Sequence, residues 1–253
     1  GCHSGNVHAL AADTGEVRWA YKTGDEVRSS PTVVDGVVYV GSQDGCLYAL
    51  SATGGEVKWK VKTQNYITSS PAVVDGVVYA GSWDGTVFAL RASDGERLWH
   101  FRTQSCVFSS PAVAEGLVFI GSDDGSVYAL DAESGKPVWQ LDTGEWVRCS
   151  PTVSGGVVYV GSYSSAVYAL NARSGQVIWR YKTGHWVRSA PTVANGHVYV
   201  GSFDGVLYAL EVATGKEVWR YQMDSSNAST AAPANGALYV GSYDGNLYCF
   251  VGR

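Results

Sequence analysis

Gly121-Ser-Asp-Asp-Gly-Ser-Val-Tyr-Ala-Leu-Asp-Ala-Glu-Ser-Gly-Lys-Pro-Val-Trp139 is one copy of a pattern that returns along the chain at a fixed interval. Its tryptophan keeps the register: Trp19, Trp59, Trp99, Trp139, Trp179 and Trp219 are evenly spaced, and the Gly-Ser, Tyr-Ala-Leu and most Asp-Gly elements move with them. A period of about 40 residues belongs to propellers and solenoids.

Within a unit, apolar and polar residues alternate with period two, and β-branched and aromatic residues fill the stretches between turn signals. In the second full unit this predicts strands over Ser69 to Val74, Val77 to Ser82, Thr86 to Ala92 and Leu98 to Thr103. Asp75-Gly76, Asp84-Gly85 and Asp94-Gly95 punctuate them, because tight hairpin turns need the positive φ that glycine accepts. Four antiparallel strands make a small twisted sheet, and a radial arrangement of such sheets buries the faces of each against its neighbours. The expected fold is therefore an all-β propeller of four-stranded blades, with strands A to D counted from the central channel outward. Pro31, Pro71, Pro111, Pro151 and Pro191 open strand A, an inner edge where a missing N–H is tolerated; the last unit has Ala231 there and Pro233 two residues on. The six repeat tryptophans are assigned a structural role between blades, with Tyr21, Phe101, Tyr181 and Tyr221 beside them.

The ends complicate the count. Residues 1–24 supply a C strand (Val7 to Ala11) and a D strand (Val17 to Thr23), while residues 228–253 supply A, B and another C strand (Asn246 to Val251), one C strand more than six blades use. A six-bladed ring closed by the N-terminal D strand with the C-terminal A, B and C is the first expectation, and an open ring whose end strands invite a second chain, as in a homodimer, is its competitor. Residues 1–253 read as one domain, and a start at Gly1 inside a repeat suggests a piece of something longer.

A net charge of -5 and the absence of any Lys/Arg run give no field for nucleic acid or lipid headgroups. Apolar runs are four or five residues long, against roughly 20 for a membrane-spanning helix, so no direct membrane insertion is expected. Cys2, Cys46, Cys106, Cys149 and Cys249 occupy five different places in the unit and read as free thiols, with no zinc spacing. The compartment is left open between the cytoplasm and the extracytoplasmic part of a membrane-anchored bacterial protein.

The unit G-S-x-D-G-x-L-Y-A-L-x-A-x-x-G-x-x-x-W, as in Gly121 to Trp139, resembles the tryptophan-docking repeat of pyrroloquinoline-quinone (PQQ)-like propellers. The resemblance implies the propeller fold across nearly the whole chain. For function it spans quinoprotein alcohol dehydrogenases, the lipoprotein scaffold of outer-membrane barrel assembly, and sensor domains attached to bacterial Ser/Thr kinases. Relatives of this kind commonly have seven or eight blades, against six units here. The adjacent cysteines, long inserts and calcium-holding carboxylates of the dehydrogenases have no counterpart in this sequence, so no cofactor is expected.

Differences between copies concentrate on the face formed by the D-to-A and B-to-C connections. The B-to-C turn varies as Gln43, Trp83, Asp123, Tyr163, Phe203 and Tyr243; the D-to-A loop varies as Glu26, Tyr66, Cys106, Trp146, Trp186 and Ser226, then as Arg28, Thr68, Phe108, Arg148, Arg188 and Ala228. Aromatic rings with arginines suit recognition, as rigid anchors beside planar donors. Arg28, Tyr66, Trp83, Phe108, Trp146, Arg148, Tyr163, His185, Trp186 and Arg188 are the candidate binding residues for a protein, peptide or small anionic or aromatic ligand. A plainer reading has the same rings capping the core between blades. Asp44, Asp84, Asp124, Asp204 and Asp244 read as hairpin chemistry rather than calcium ligands, one carboxylate per turn being too few. No Ser-His-Asp arrangement is readable; His185 is at most a weak base candidate, and Glu145 or Asp25 an acid only in a pocket that raised its pKa. The reading is a non-catalytic binding, sensor or scaffold domain, with a PQQ-dependent oxidoreductase and a self-assembling repeat as alternatives.

Overall fold

A computed structural model describes residues 1–251, and every element in it is a β-strand. The first sheet has two strands, β1 (Asn6–Leu10) and β2 (Val17–Lys22). Five four-stranded sheets follow. They are β3 (Thr32–Val34), β4 (Val37–Gly41), β5 (Cys46–Ser51) and β6 (Val57–Lys62); β7 (Ala72–Val74), β8 (Val77–Gly81), β9 (Thr86–Arg91) and β10 (Arg97–Arg102); β11 (Ala112–Ala114), β12 (Leu117–Gly121), β13 (Ser126–Asp131) and β14 (Pro137–Asp142). The fourth and fifth are β15 (Thr152–Ser154), β16 (Val157–Ser162), β17 (Ala166–Asn171) and β18 (Val177–Lys182); and β19 (Thr192–Ala194), β20 (His197–Gly201), β21 (Val206–Glu211) and β22 (Glu217–Gln222). A three-stranded sheet of β23 (Ala232–Ala234), β24 (Ala237–Gly241) and β25 (Leu247–Val251) ends the array.

Each four-stranded sheet is an antiparallel meander in the order A-B-C-D, and the consecutive A strands β3, β7, β11, β15 and β19 neighbour one another. Strand A is three residues long, shorter than the sequence suggests. The serine that precedes it replaces ladder bonds with its side chain: Ser69 Oγ accepts from Gly81 N at 2.9 Å and donates to Gly81 O at 2.7 Å. The blades are then laced at the channel by Ser30 N, Ser70 N and Ser110 N, each donating to the hydroxyl of the corresponding serine in the next unit, at 2.9–3.0 Å. In the A-to-B turns both central residues take positive φ, as at Asp75 (49°) and Gly76 (75°), the tight geometry whose twist matches paired strands.

The repeat tryptophans lock one blade to the next. Trp19, Trp59, Trp99 and Trp139 donate from Nε1 to the carbonyls of Ala52, Ala92, Ala132 and Ala172, and Trp179 to that of Val212, all at 2.8–2.9 Å. The same rings lie against Gly55, Gly95, Gly135, Gly175 and Gly215, where a Cβ would come within 2.8 Å of the indole. Only glycine permits that approach. Burying each ring contributes on the order of 2–3 kcal/mol, and the bulge beside each C–D pairing turns strand D toward its neighbour. Tyr21, Phe101, Tyr181 and Tyr221 meet Tyr48, Tyr128, Tyr208 and Tyr248 of the following blades at 5.4–5.7 Å.

The ends differ from the six-bladed closure expected first. Among the described residues β2 pairs with β1 alone and β25 with β24 alone. The local hairpin contact between β1 and β2 prevails over a pairing that would have to bend the whole array into a tighter ring. Among the described residues no strand pairing joins the two end sheets, so the closure expected first is not seen.

Candidate binding surface

One backbone bond per unit builds this face. Trp83 N donates to Tyr66 O, Asp123 N to Cys106 O, Tyr163 N to Trp146 O and Phe203 N to Trp186 O, each at 2.9 Å, and Gln43 N to Glu26 O at 2.8 Å. These bonds fasten each D-to-A loop to the next B-to-C turn, so the variable positions of both sit side by side.

The side chains join across blades into a belt. Tyr66 meets Trp83 edge-on at 5.1 Å, and Trp83 meets Phe108 at 4.2 Å. The guanidinium of Arg148 lies between Phe108 and Trp146, 4.1 and 4.3 Å from their ring centres. Trp146 then contacts Tyr163 at 5.7 Å, and Tyr163 stacks on Trp186 at 4.8 Å with planes 13° apart. Trp186 continues to Phe203 at 6.0 Å and Phe203 to Tyr243 at 6.2 Å. His185 packs edge-on against Trp186 at 4.7 Å, its Nδ1 accepting from Trp186 N at 2.8 Å.

Of the ten candidates, eight join this belt through the contacts above, and the ten divide by what their polar groups are doing. Arg148 is engaged: Nε and Nη2 donate at 2.9 and 2.8 Å to the two carboxylate oxygens of Asp123, a fork that braces the belt from beneath. That hydrogen bond holds the guanidinium above its already high ordinary pKa. Trp83 Nε1 donates to Thr68 Oγ1 at 2.7 Å, and Tyr163 is buried. Arg28 stands apart in the first unit, donating to Glu26 at 2.9 Å. Tyr66, Trp146 and Trp186 keep 38%, 44% and 42% of their surface exposed, and Arg188 is exposed with no ion pair among the described residues. Asp123, Phe203 and Tyr243 belong to the arrangement too. They stand in the varying B-to-C series, and the signal that could have selected them is that they share the repeat register of Trp83 and Tyr163.

The turn aspartates are occupied by the backbone. Asp44 accepts from Gly24 N, Cys46 N and Tyr48 Oη at 2.7, 2.8 and 2.6 Å. Burial disfavours its charge, but these bonds outweigh burial and hold the carboxyl below the ordinary carboxylate range. Cys149 stands where other units have strand A's serine; its Sγ accepts from Gly161 N at 3.2 Å, and burial pushes the thiol up to about 12. It is a packing residue.

The family model described as outer membrane protein assembly factor BamB matches residues 3–69, 60–150 and 124–252. The chain belongs to this PQQ-like propeller family. The crystal structure of BamB from Moraxella catarrhalis superposes with a TM-score of 0.65 at 22% identity, covering 99% of this chain and 92% of that one. A computationally designed protein, Ika8, superposes with a TM-score of 0.90 at 19% identity, covering 99% of this chain and 79% of that one. At such identities the likeness is one of fold. No curated protein matches the chain. Among the described residues no helix is long and apolar enough to cross a membrane.

Proposed function

We propose that this PQQ-like propeller is a non-catalytic interaction scaffold that takes an extended segment of a partner protein along the belt from Tyr66 to Tyr243. The observation that carries the reading is continuity: ring follows ring across five units, interrupted only by a guanidinium that is itself stacked. Tyr66, Trp146, Trp186 and Tyr243 each leave 38% or more of their surface in water. Rings that merely capped the core would be covered. Exposed rings fixed by neighbours lose little freedom on binding, which favours affinity. Arg188, exposed and two residues along the chain from Trp186, adds a planar donor suited to a carboxylate on the partner.

The family's description as an assembly factor supports a scaffold over a dehydrogenase, and so does the commitment of Asp44 and its counterparts to N–H and O–H donors within the turns. An extracytoplasmic setting on a membrane-anchored protein, with residues 1–253 acting as one domain, fits this role.

The reading is tested with peptides selected on the chain from a random phage-displayed library and measured by calorimetry. Trp186→Ala and Arg188→Gln should each weaken the selected acidic-aromatic peptides at least tenfold, about 1.4 kcal/mol. Arg28→Gln, off the belt, should leave them unchanged. Affinities indifferent to Trp186 and Arg188 would remove the belt as the binding surface.

A further inference from the structure

The seam between the sheet of β3–β6 and the sheet of β7–β10 departs from the others at two positions. Strands β2, β10, β14, β18 and β22 carry Tyr21, Phe101, Leu141, Tyr181 and Tyr221, whereas β6 has Val61 in their place. Strands β5, β13, β17, β21 and β25 carry Tyr48, Tyr128, Tyr168, Tyr208 and Tyr248, whereas β9 has Phe88. Ring pairs fill the equivalent space elsewhere, as with Tyr21 on Tyr48 and Phe101 on Tyr128. Here a smaller side chain faces a ring that has no hydroxyl. A cleft of about 430 Å³ opens at this seam, and Lys62, Asp84, Phe88, Arg97, His100 and Arg102 contribute to its lining. Thr86, also in the lining, is half-buried where Cys46, Ser126, Ala166 and Val206 are buried. No residue of the aromatic belt lines the cleft.

The missing hydroxyl leaves a carboxylate with capacity to spare. Tyr48, Tyr128, Tyr208 and Tyr248 donate from Oη to Asp44, Asp124, Asp204 and Asp244 at 2.6–2.8 Å. Asp84 holds the same place in its turn, yet among the described residues its carboxylate accepts only from Gln64 N at 3.0 Å and Thr86 N at 2.9 Å. A carboxylate has about four acceptor sites, so Asp84 keeps an acceptor where a phenol O–H would otherwise point. Basic side chains stand around it. Arg102 is the cross-strand partner of Thr86 and His100 that of Phe88, and such partners share a face of the sheet. Phe88 packs in the core between the two sheets, so that face looks into the seam. Arg97 lies farther along β10, and Lys62 ends β6, where it donates to Asp44 O. The side chains of Arg97 and Arg102 make no ion pair among the described residues.

Three cationic side chains, Lys62, Arg97 and Arg102, against the single carboxylate of Asp84 favour a ligand of net negative charge, in a chain whose own net charge is -5. The unfilled O–H position beside Asp84 calls for a hydroxyl on the same ligand. The volume falls within the range of about 300–1,000 Å³ found for small-molecule sites. We infer that this cleft binds a small sugar that carries an anionic group, phosphate or carboxylate. Arg102 and Arg97 bring planar forks of donors to the anion, with His100 between them along β10, and Asp84 accepts from a sugar hydroxyl in place of the tyrosine's. Phe88 supplies the apolar wall. An amino acid's ammonium would also meet Asp84, but it would cancel the net charge for which the cations select.

The experiment titrates the intact chain by calorimetry with glucose 6-phosphate and with glucuronate, and with glucose, inorganic phosphate and glutamate as controls. At least one of the two charged sugars should bind one to one and at least tenfold more tightly than every control; which of them does so separates phosphate from carboxylate as the anion. Phe88→Tyr installs the side chain that the other strands carry and returns an O–H to Asp84. It should weaken sugar binding at least tenfold. Arg102→Gln should do the same, and because that side chain is exposed it tests the site even if Phe88→Tyr disturbs packing. Trp186→Ala, on the belt, should leave sugar binding unchanged, so the cleft and the belt stand or fall separately. Charged sugars that bind no more tightly than the controls, or affinities indifferent to both Phe88→Tyr and Arg102→Gln, would overturn the inference.

Discussion

At the scale of single residues, the repeats serve as controls for one another. Tyr39 and Tyr79 donate from Oη to the carbonyls of Ala92 and Ala132 at 3.3 Å, while the equivalent Tyr159 hydroxyl is buried with no partner among the described residues. Phe119 fills the same position in the intervening unit, fully buried against the same kind of neighbours. An unsatisfied buried hydroxyl costs on the order of 1–3 kcal/mol, and Phe removes it without opening a cavity. Tyr159→Phe should therefore leave stability unchanged or raise it by up to about 1 kcal/mol in urea unfolding. A loss above about 1 kcal/mol would mean that the hydroxyl is satisfied in solution. Arg148 carries the complementary lesson. Its type and place suggested a donor turned toward a ligand, but Asp123 lies in the preceding B-to-C turn, which its own loop brings alongside, and claims both of its donor edges. The two stand 25 residues apart in one repeat, and strand periodicity does not show that the loop after strand D returns to the B-to-C turn at that distance.

At the scale of elements, most of the architecture was legible because it is local. Alternation and Asp-Gly punctuation located strands B, C and D to within about two residues, and the spacing of Trp19 to Trp219 identified the seams between blades. Strand A came out shorter because a serine side chain, not the backbone, closes the ladder there. The fourth B-to-C turn lost its Asp-Gly pair yet kept its shape: Ser165 takes φ 58° and its carbonyl still accepts from Thr183 N at 2.9 Å, as Gly45 O does from Thr63 N at 2.8 Å. Turn chemistry also sets a pH dependence. The Asp44 carboxyl is held below its ordinary value in the folded chain, so the folded pKa is lower than the unfolded one near 4. Its contribution is complete above about pH 5 and disappears as pH falls through the folded value, because the unfolded chain then binds the proton first. Asp44→Asn should accordingly flatten the fall in stability between about pH 5 and pH 2, and lower stability at pH 7 by roughly 1 kcal/mol. Denaturant midpoints across that range measure both effects, and an unaltered acid limb would show that the turn's bonds do not discriminate between the charged and neutral carboxyl.

At the scale of the whole molecule, blade count and closure were the features least visible in sequence, since curvature accumulates from small wedge angles between sheets and no single residue encodes it. What the sequence does encode is neighbour-to-neighbour burial, and in an array of this kind stability is close to a sum of such interfaces. Interior blades are covered on both faces: Val118, Phe119 and Ile120 of β12 and Val127, Ala129 and Leu130 of β13 have no exposed surface. The end sheets are covered on one, leaving Leu10 at 56% and Leu247 and Val251 at 73% and 71% exposed. Local opening should therefore be graded along the chain. Native-state hydrogen exchange should find the amides of β12, β13, β16 and β17 slowest, and those of β1 and β25 faster by about 100-fold or more, equivalent to at least about 2.7 kcal/mol. Strand D of interior blades should fall between, because its tryptophan is seated while alternate residues face water, as Arg97, Leu98, His100 and Arg102 do in β10. Uniform protection from end to end would require the terminal sheets to be covered in solution, and would contradict nearest-neighbour burial as the source of stability in the array.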